Sequence, residues 1–268
     1  MIKRRPVPQE EYNIKMIESF ETYVPIEFQH ITNLYWHPNP MIQNMMVNYC
    51  KENSFKNILE VGPGKKPFPL ATKFIGFNES VDNYDNIDID KDAIPCEDNF
   101  FDFAYARHLL EDIQSPDKAF ESIMKVSKCG YFETPSPLVE LSRGIDYEGE
   151  SEFFLGFKHH RYIVCSDLEN NTIFFLPKYG FLENILNFGE DIRSKINEIL
   201  NNYPIYWNTY FFWDKANPPK VIMLKNGVNL NPDTLFQEYA NLIGLFLSLS
   251  IKSTNYFINN YSKYLKYL

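Results

Sequence analysis

The chain has 268 residues, of which 44% are apolar, 16% aromatic and 23% charged. This composition is typical of a globular protein and excludes collagen, a coiled coil and a disordered tail. The length allows one large domain or two small ones. A net charge of −9 disfavours non-specific nucleic-acid binding, because an acidic surface repels phosphate.

The four cysteines lie far apart, without the spacing that is typical of a metal site. Together with the lack of an apolar leader, this favours a reducing, intracellular and cytoplasmic location. The longest strongly apolar run, 242–251, is shorter than the ~20 residues that a membrane-spanning helix needs. We therefore expect an intracellular protein with no transmembrane segment and no bound metal.

Residues 1–55 are expected to form an N-terminal helical cap. Asn39 and Pro40 suit the N-cap and the first position of a helix, and apolar residues follow at helical spacing over 41–46. Such a stripe favours a helix that covers a sheet over one that lines a ligand site.

Strand-like and helix-like segments alternate through the middle of the chain, which indicates a parallel sheet with right-handed crossovers. A helix should begin after Ser115, where a cap residue, a proline and a first-turn acid follow one another. Gly130 is expected to end it in a left-handed conformation. The five predicted strands are 57–61, 73–77, 86–89, 101–106 and 131–133.

The second half of the chain has a different pattern. Residues 161–165 and 172–176 predict a hairpin, and 181–201 predict a helix. Residues 205–213 and 221–225 predict a second hairpin, antiparallel at the sheet edge. The apolar character of the C-terminal helix indicates burial or a subunit interface in preference to contact with a membrane surface.

The predicted domain limits are the cap at 1–55, a central domain at 56–230 with an insertion and hairpin at 138–178, and the helix at 231–268.

The first functional signal is the segment 59–64 (LEVGPG), in which a buried strand leads into Gly62 and Gly64. Glycine at such a bend lets a cofactor approach the backbone closely, although a simple turn is the alternative.

Two further polar segments follow. Residues 88–95 (DIDKDAIP) place carboxylates beyond a strand, where they can accept hydrogen bonds from a ligand. Residues 97–112 form a turn and a strand that ends in Arg107, His108 and nearby acids. Because ligands of open parallel sheets bind beyond the carboxyl ends of the strands, these segments and the glycine bend should meet at one crevice.

This ordered set resembles the class I S-adenosylmethionine-dependent methyltransferases, specifically their methyltransferase type 11, ubiquinone/menaquinone-methyltransferase-like branch. The resemblance covers about 57–137, through ILEVGPG, DIDKDAIP, EDNFFDFAYARHLLEDIQSPDKAF and SKCGYFETPSP. It implies a Rossmann-like α/β fold with a mostly parallel seven-stranded sheet and an antiparallel edge strand. It also implies S-adenosyl-L-methionine as the cofactor, bound at the strand ends.

The resemblance assigns cofactor-binding residues one by one. Glu60 matches the acid that ends the first strand, and Gly62 and Gly64 match the glycines that pass under the methionine and ribose parts of the cofactor. Asp90, with Lys91 beside it, matches the acid that binds the adenine amine.

Arg107 and His108 match the two positions after the fourth strand that face the methionine and the transferred methyl group.

The sequence departs from the family at two points. The third glycine is replaced by the segment 65–69 (KKPFP), whose prolines argue against a regular helix and indicate a subtype. The strand 73–77 also lacks the terminal acid that normally holds the ribose diol. Glu79 or Asp82 could serve from the next loop, and Asp82 is favoured. A degenerate cofactor site is the alternative.

A hydroxyl or amine acceptor needs a base at some stage. His108 is the best-placed candidate, and Glu133, at the end of the fifth strand, is second. A positioning histidine and a backbone-capping glutamate are the alternatives. His159, His160 and Tyr162 lie in a polar cluster that either contacts the acceptor or is structural. Adjacent histidines usually diverge, so no metal is expected there.

Three functions therefore compete. The first is a methyltransferase acting on an unidentified small molecule, glycan or protein, with nucleic acid less favoured. The second is an inactive methyltransferase-fold scaffold or binding protein. The third is a nucleotide-dependent dehydrogenase, which would need a third small residue at Pro67 and a helix N-terminus for the pyrophosphate. Independently of the function, the C-terminal helix could form a homo-oligomer.

Overall fold

The computed structural model describes residues 40–64, 66–77, 84–145, 154–180, 188–224 and 235–261. Its helices are α1 (Pro40–Glu52), α2 (Pro116–Val126), α3 (Pro137–Glu140), α4 (Glu190–Asn202) and α5 (Leu235–Tyr261), with a 3-10 turn at Pro204–Trp207. Its strands are β1 (Ile58–Val61), β2 (Lys73–Gly76), β3 (Asp85–Asn86), β4 (Phe101–Arg107), β5 (Ser127–Pro135), β6 (Tyr162–Asp167), β7 (Thr172–Pro177), β8 (Asn208–Asp214) and β9 (Lys220–Met223).

The main sheet has the strand order β3-β2-β1-β4-β5-β8. Neighbouring strands are parallel except β8, which runs antiparallel to β5 at the edge. This order confirms the predicted Rossmann-like sheet, with six strands among the described residues where the resemblance implies seven. The ubiquinone/menaquinone-methyltransferase-like branch stays a prediction.

Both faces of the main sheet are buried, as a parallel sheet requires. Ile58, Phe103 and Tyr105 enter one apolar cluster, while Leu59 and Ala104 enter another on the opposite face. The alternation of side chains along each strand therefore fixes which residues lie on each face.

Helix α2 begins at Pro116 as predicted but ends earlier than predicted, at Val126. Gly130 lies inside β5 and does not end the helix. A Cβ at Gly130 would lie 2.7 Å from the carbonyl oxygen of Ala104 and from the ring of Trp213. The glycine is therefore needed for close packing and not for a left-handed turn.

The third strand is shorter than predicted, because Asp88 begins a turn. The backbone N–H groups of Lys91 and Asp92 donate to the carbonyl of Asp88 at 2.9 and 2.8 Å. These bonds replace the strand pairing that the apolar residues of 86–89 suggested.

A second sheet has the order β6-β7-β9. The predicted hairpin of β6 with β7 is confirmed. The predicted hairpin of 205–213 with 221–225 is wrong, because β8 pairs with β5 and β9 pairs in parallel with β7. Both strands were recognisable from their sequence, but their partners depend on which sheet edge is open, and local patterns carry no such information.

Three predicted helices are described in whole or in part. Helix α1 covers the predicted start at Pro40, and the rest of the cap at 1–39 lies outside the described residues. Helix α4 covers the predicted helix from Glu190 onward, while 181–187 lie outside. Helix α5 contacts β6 and β8 and buries Ile243 and Phe246. Within the described residues, no helix is both long and apolar enough to span a membrane. Self-association through α5 stays a prediction.

Asp102 anchors the start of β1 to β4, and this contact gives a testable pH dependence. Its carboxylate accepts the N–H groups of Lys56 and Asn57 at 2.9 and 3.0 Å, and the ammonium of Lys128 at 2.8 Å. The N–H of Asn57, with Lys128, lowers the pKa of Asp102 to about 2. We expect Asp102→Asn to reduce the free energy of unfolding at pH 7 by about 1 kcal/mol, a value discounted for solvent screening.

Because the folded pKa lies below the unfolded value, this stabilisation is present above about pH 4 and is lost as the pH falls toward 2. Urea unfolding at several pH values measures it. The control is Asp98→Asn, since Asp98 is mostly exposed and lies 3.8 Å from Lys125. A difference between wild type and Asp102→Asn that persists at pH 2 would contradict the prediction.

Candidate active site

The strand order reverses between β1 and β4, and the bend after β1 lies at this point. Gly62 and Gly64 adopt φ angles of 70° and 55°, in the left-handed region that favours glycine. A Cβ on Gly62 would lie 3.2 Å from Leu109, whereas a Cβ on Gly64 would meet no atom of the described residues within 4 Å. The bend therefore presents backbone without side chains.

Glu60 is buried in β1 and holds the segment that follows the bend. Its Oε2 accepts the N–H of Phe68 at 2.7 Å, and Phe68 stacks on Tyr105 with ring centroids 4.5 Å apart. The described residues of 62–72 contain no helix, as the prolines predicted. The segment is thus fixed by side-chain packing where a dinucleotide-binding protein would have a helix N-terminus.

Asp90 joins the loop after β3 to the start of α2. Its two oxygens accept the backbone N–H groups of Ser115 and Gln114 at 2.8 and 2.9 Å. Each oxygen keeps one further acceptor position, so a contact with adenine stays a prediction. Lys91 forms an ion pair with Asp88. Asp82 and Glu79 lie outside the described residues.

Glu133 gathers three donors at the carboxyl ends of β4 and β5. Its Oε1 accepts Arg107 Nε and Asn208 Nδ2, each at 2.8 Å, and its Oε2 accepts the hydroxyl of Tyr131 at 2.6 Å. The side chain is almost fully buried. Because these donors already occupy the carboxylate, Glu133 is better suited to hold Arg107 in place than to accept a proton. Its contacts are to side chains and not to the backbone groups that the sequence alternative suggested.

His108 follows β4 in a left-handed conformation with φ of 50°, which is uncommon for a non-glycine residue and is often found at functional sites. Its Nδ1 lies 3.2 Å from Glu111 Oε1. Burial, with the nearby charges of Arg107 and His160, holds the pKa of His108 well below its usual value. The imidazole is therefore neutral at pH 7, with little driving force to take a proton.

Glu111 contacts His108, although the sequence did not indicate Glu111 as a site residue. Burial and the adjacent Asp112 raise the pKa of Glu111 well above its usual range. Glu111 lies three residues after His108, and this spacing brings two side chains together only where the backbone forms a turn or a helix. The segment does turn over 109–112.

His159 and His160 do not diverge as predicted, because they lie in a turn and not in a strand. Their ring centroids are 4.4 Å apart, and both face Asp112, with Nε2 to Oδ1 distances of 4.0 and 3.7 Å. Tyr162 is buried at the start of β6, and its hydroxyl donates to the carbonyl of Gln114 at 3.0 Å. That bond is structural, and acceptor contact by these three residues stays a prediction.

A buried ion pair between Glu140 and Lys178 holds the His160 ring in place. Glu140 Oε1 lies 2.5 Å from His160 Nδ1, and its Oε2 accepts Lys178 Nζ at 2.8 Å. Burial by itself would raise the pKa of Glu140, but the charge of Lys178 and the contact with His160 hold that pKa below its usual value. No sequence signal linked these residues, because Glu140 and Lys178 are 38 positions apart.

A cavity of about 460 Å³ lies away from this crevice. Its lining includes Asn57, Lys73, Asp85 and Phe101, which stand at the amino ends of the parallel strands. Ligands of open α/β sheets bind at the opposite edge. We therefore do not place the candidate active site in this cavity.

No protein-family model matches the chain, and no curated protein matches it. Similar solved structures include an S-adenosylmethionine-dependent methyltransferase from Mesorhizobium loti, with 19% identity and a TM-score of 0.27 over 32% of this chain and 50% of that one. A second, from Clostridium acetobutylicum, has 13% identity and a TM-score of 0.33 over 42% of this chain and 59% of that one.

A third similar structure is the N-terminal domain of EvdMO1 with SAH bound, at 14% identity and a TM-score of 0.31 over 56% of this chain and 74% of that one. The matched region therefore spans about half the length of the Mesorhizobium loti protein. Partial matches of this kind assign no activity to the chain.

Proposed function

We propose that this chain is an S-adenosylmethionine-dependent methyltransferase. The observation that carries the proposal is the bend with Gly62 and Gly64 at the point where the strand order reverses. Open α/β sheets bind their ligands at such a point, and Arg107 and His108 stand beside it, after the neighbouring strand β4.

The residues present fit a sulfonium nucleoside better than a dinucleotide. Glycine at positions 62 and 64 leaves the bend without side chains, so a ligand can approach the backbone closely. This cofactor has no phosphate, so it needs no helix N-terminus at the bend, and the described residues of 62–72 provide none. Its hydroxyls and amines suit carboxylate acceptors. We assign Glu60, Gly62, Gly64, Asp90, Lys91, Arg107 and His108 to this half of the site, with Asp82 on the ribose.

The cofactor, when bound, supplies an activated methyl group for in-line displacement. The protein aligns the acceptor and excludes water. Neutral His108, held by Glu111 and seated next to Glu133, is placed to orient an acceptor hydroxyl or amine. Its low pKa makes positioning a better role than full proton removal. The acceptor that we propose is a small molecule, a glycan or a protein group.

An inactive scaffold is the second candidate, and one observation favours it. The carboxylates of Glu60, Asp90 and Glu133 already accept hydrogen bonds from the protein itself. A binding module without catalysis would not need these three carboxylates to contact a ligand.

Calorimetric titration separates these candidates. We expect the full chain to bind S-adenosylmethionine and its demethylated product with one site per chain, and to show no binding of NAD at the same concentrations. Binding of neither methionine-derived ligand would refute the proposal and favour the scaffold. Binding of NAD alone would favour a dehydrogenase.

A further inference from the structure

A second polar cluster lies where the turn after β4 meets the segment before β6. The backbone N–H groups of Arg161 and Tyr162 donate to the carbonyl of Glu111 at 2.8 and 3.1 Å. Asp112 follows Glu111 and His160 precedes Arg161, so these bonds place the two side chains next to each other. These backbone hydrogen bonds hold the two segments together, so the position of Asp112 next to His160 does not depend on flexible side chains.

The cluster consists of Asp112, His159 and His160. One nitrogen or oxygen ligand atom from each lies within 4.8 Å of the others. The Nε2 atoms of His159 and His160 are 4.0 and 3.7 Å from Asp112 Oδ1. These distances are too long for hydrogen bonds. They are near the roughly 3.4 Å that separates two ligands of a tetrahedral metal with 2.0–2.2 Å bonds.

His160 is oriented as a metal-binding histidine would be. Its side chain is 1% exposed, and its Nδ1 contacts Glu140, whose other oxygen is paired with Lys178. Donation of Nδ1–H to this buried carboxylate directs Nε2 toward Asp112. Metal-bound histidines usually hold their second nitrogen in this way, on a carboxylate or carbonyl.

Asp112 provides an independent observation. Its Oδ1, the atom that faces both imidazoles, is buried and has no hydrogen-bond partner within the described part of the chain. A buried polar atom without a partner costs free energy. A cation between the three side chains would satisfy this oxygen.

We propose that Asp112, His159 and His160 bind a divalent first-row transition metal such as Zn²⁺. Two imidazoles and one carboxylate suit such metals, whereas Mg²⁺ and Ca²⁺ prefer oxygen ligands alone. Three protein ligands leave a coordination position for water or another ligand. His159 is half exposed, which gives the metal access. Metal binding here does not require the cofactor, because none of the three ligands belongs to the proposed cofactor-binding residues.

The test is equilibrium dialysis of the metal-free full chain against Zn²⁺, with Co²⁺ as a spectroscopic probe. We expect one equivalent of Zn²⁺ per chain, visible Co²⁺ absorption typical of low coordination, and no comparable binding of Mg²⁺. His159→Gln and Asp112→Asn should each weaken Zn²⁺ binding by at least about tenfold. Because the His159 side chain is half exposed, its substitution should leave the far-ultraviolet circular dichroism unchanged.

The matched control is Lys158→Ala, a change of the exposed residue next to His159, which should bind Zn²⁺ like the wild type. Absence of stoichiometric Zn²⁺ binding by the wild type would overturn the proposal. So would equal binding by folded His159→Gln, because the metal would then be held elsewhere, for example by thiols. Either outcome leaves the cofactor titration unaffected, so failure of this proposal and failure of methyl transfer are distinguishable.

Discussion

Gly62→Asp is expected to abolish detectable binding of S-adenosylmethionine and its demethylated product. The glycine has a φ of 70°, and the new Cβ would lie 3.2 Å from Leu109 Cδ1. The added carboxylate must then share the crevice with a ligand that approaches the backbone at this point. We expect a loss of affinity of at least about 100-fold, which corresponds to roughly 2.7 kcal/mol, in calorimetric titration.

Gly144→Asp is the matched control for the backbone. Gly144 has a φ of 75°, and no atom of the described residues lies within 4 Å of its Cβ position, so the same substitution makes a similar conformational demand away from the bend. We expect Gly144→Asp to bind both ligands like the wild type and to melt no lower than Gly62→Asp, because only the substitution at Gly62 adds a tight contact with Leu109. If folded Gly62→Asp binds either ligand with unchanged affinity, the bend does not hold the cofactor.

Glu140→Gln is expected to reduce the free energy of unfolding by about 3–5 kcal/mol, because it leaves the ammonium of Lys178 buried without an anionic partner. Glu140 is fully buried, Lys178 is 8% exposed, and their charged atoms are 2.8 Å apart. Lys178 Nζ also donates to the carbonyl of Phe157 at 2.7 Å, but a neutral carbonyl cannot replace a carboxylate. Chemical denaturation at pH 7 measures the loss.

The control uses an exposed pair of the same kind. Glu169 and Lys252 are 2.6 Å apart, with both side chains more than half exposed, so Glu169→Gln should change stability by less than about 1 kcal/mol. Adding Lys178→Met to Glu140→Gln should restore part of the lost stability, because the uncompensated charge is removed. If Glu140→Gln costs no more than Glu169→Gln, the buried pair is not important for stability.

The sequence predicted the glycine bend well, because the constraint there is local. A residue at a positive φ with a ligand or side chain close by has few choices besides glycine, and the order strand, bend and polar strand end is visible in consecutive residues. The apolar face of α2 is specified in the same way, since its buried residues Ala119, Ile123 and Val126 recur at helical spacing.

The role of Gly130 could not be predicted. A glycine after a helix usually ends it, but this one is needed because Trp213, more than 80 positions away, packs directly against it. The residue that requires this glycine lies on another strand. A pattern of neighbouring residues therefore indicates a helix end and misses the packing against Trp213.

The sequence by itself determined the order and type of the central elements and the positions where carboxylates and glycines follow the strands. These depend on periodicity and backbone conformation, which neighbouring residues specify. Only the tertiary structure decided that β8 and β9 belong to different sheets, and that Asp112, Glu140, His160 and Lys178 meet. Such pairings depend on which edges and buried spaces remain open after the rest of the chain has packed, and no local segment contains that information.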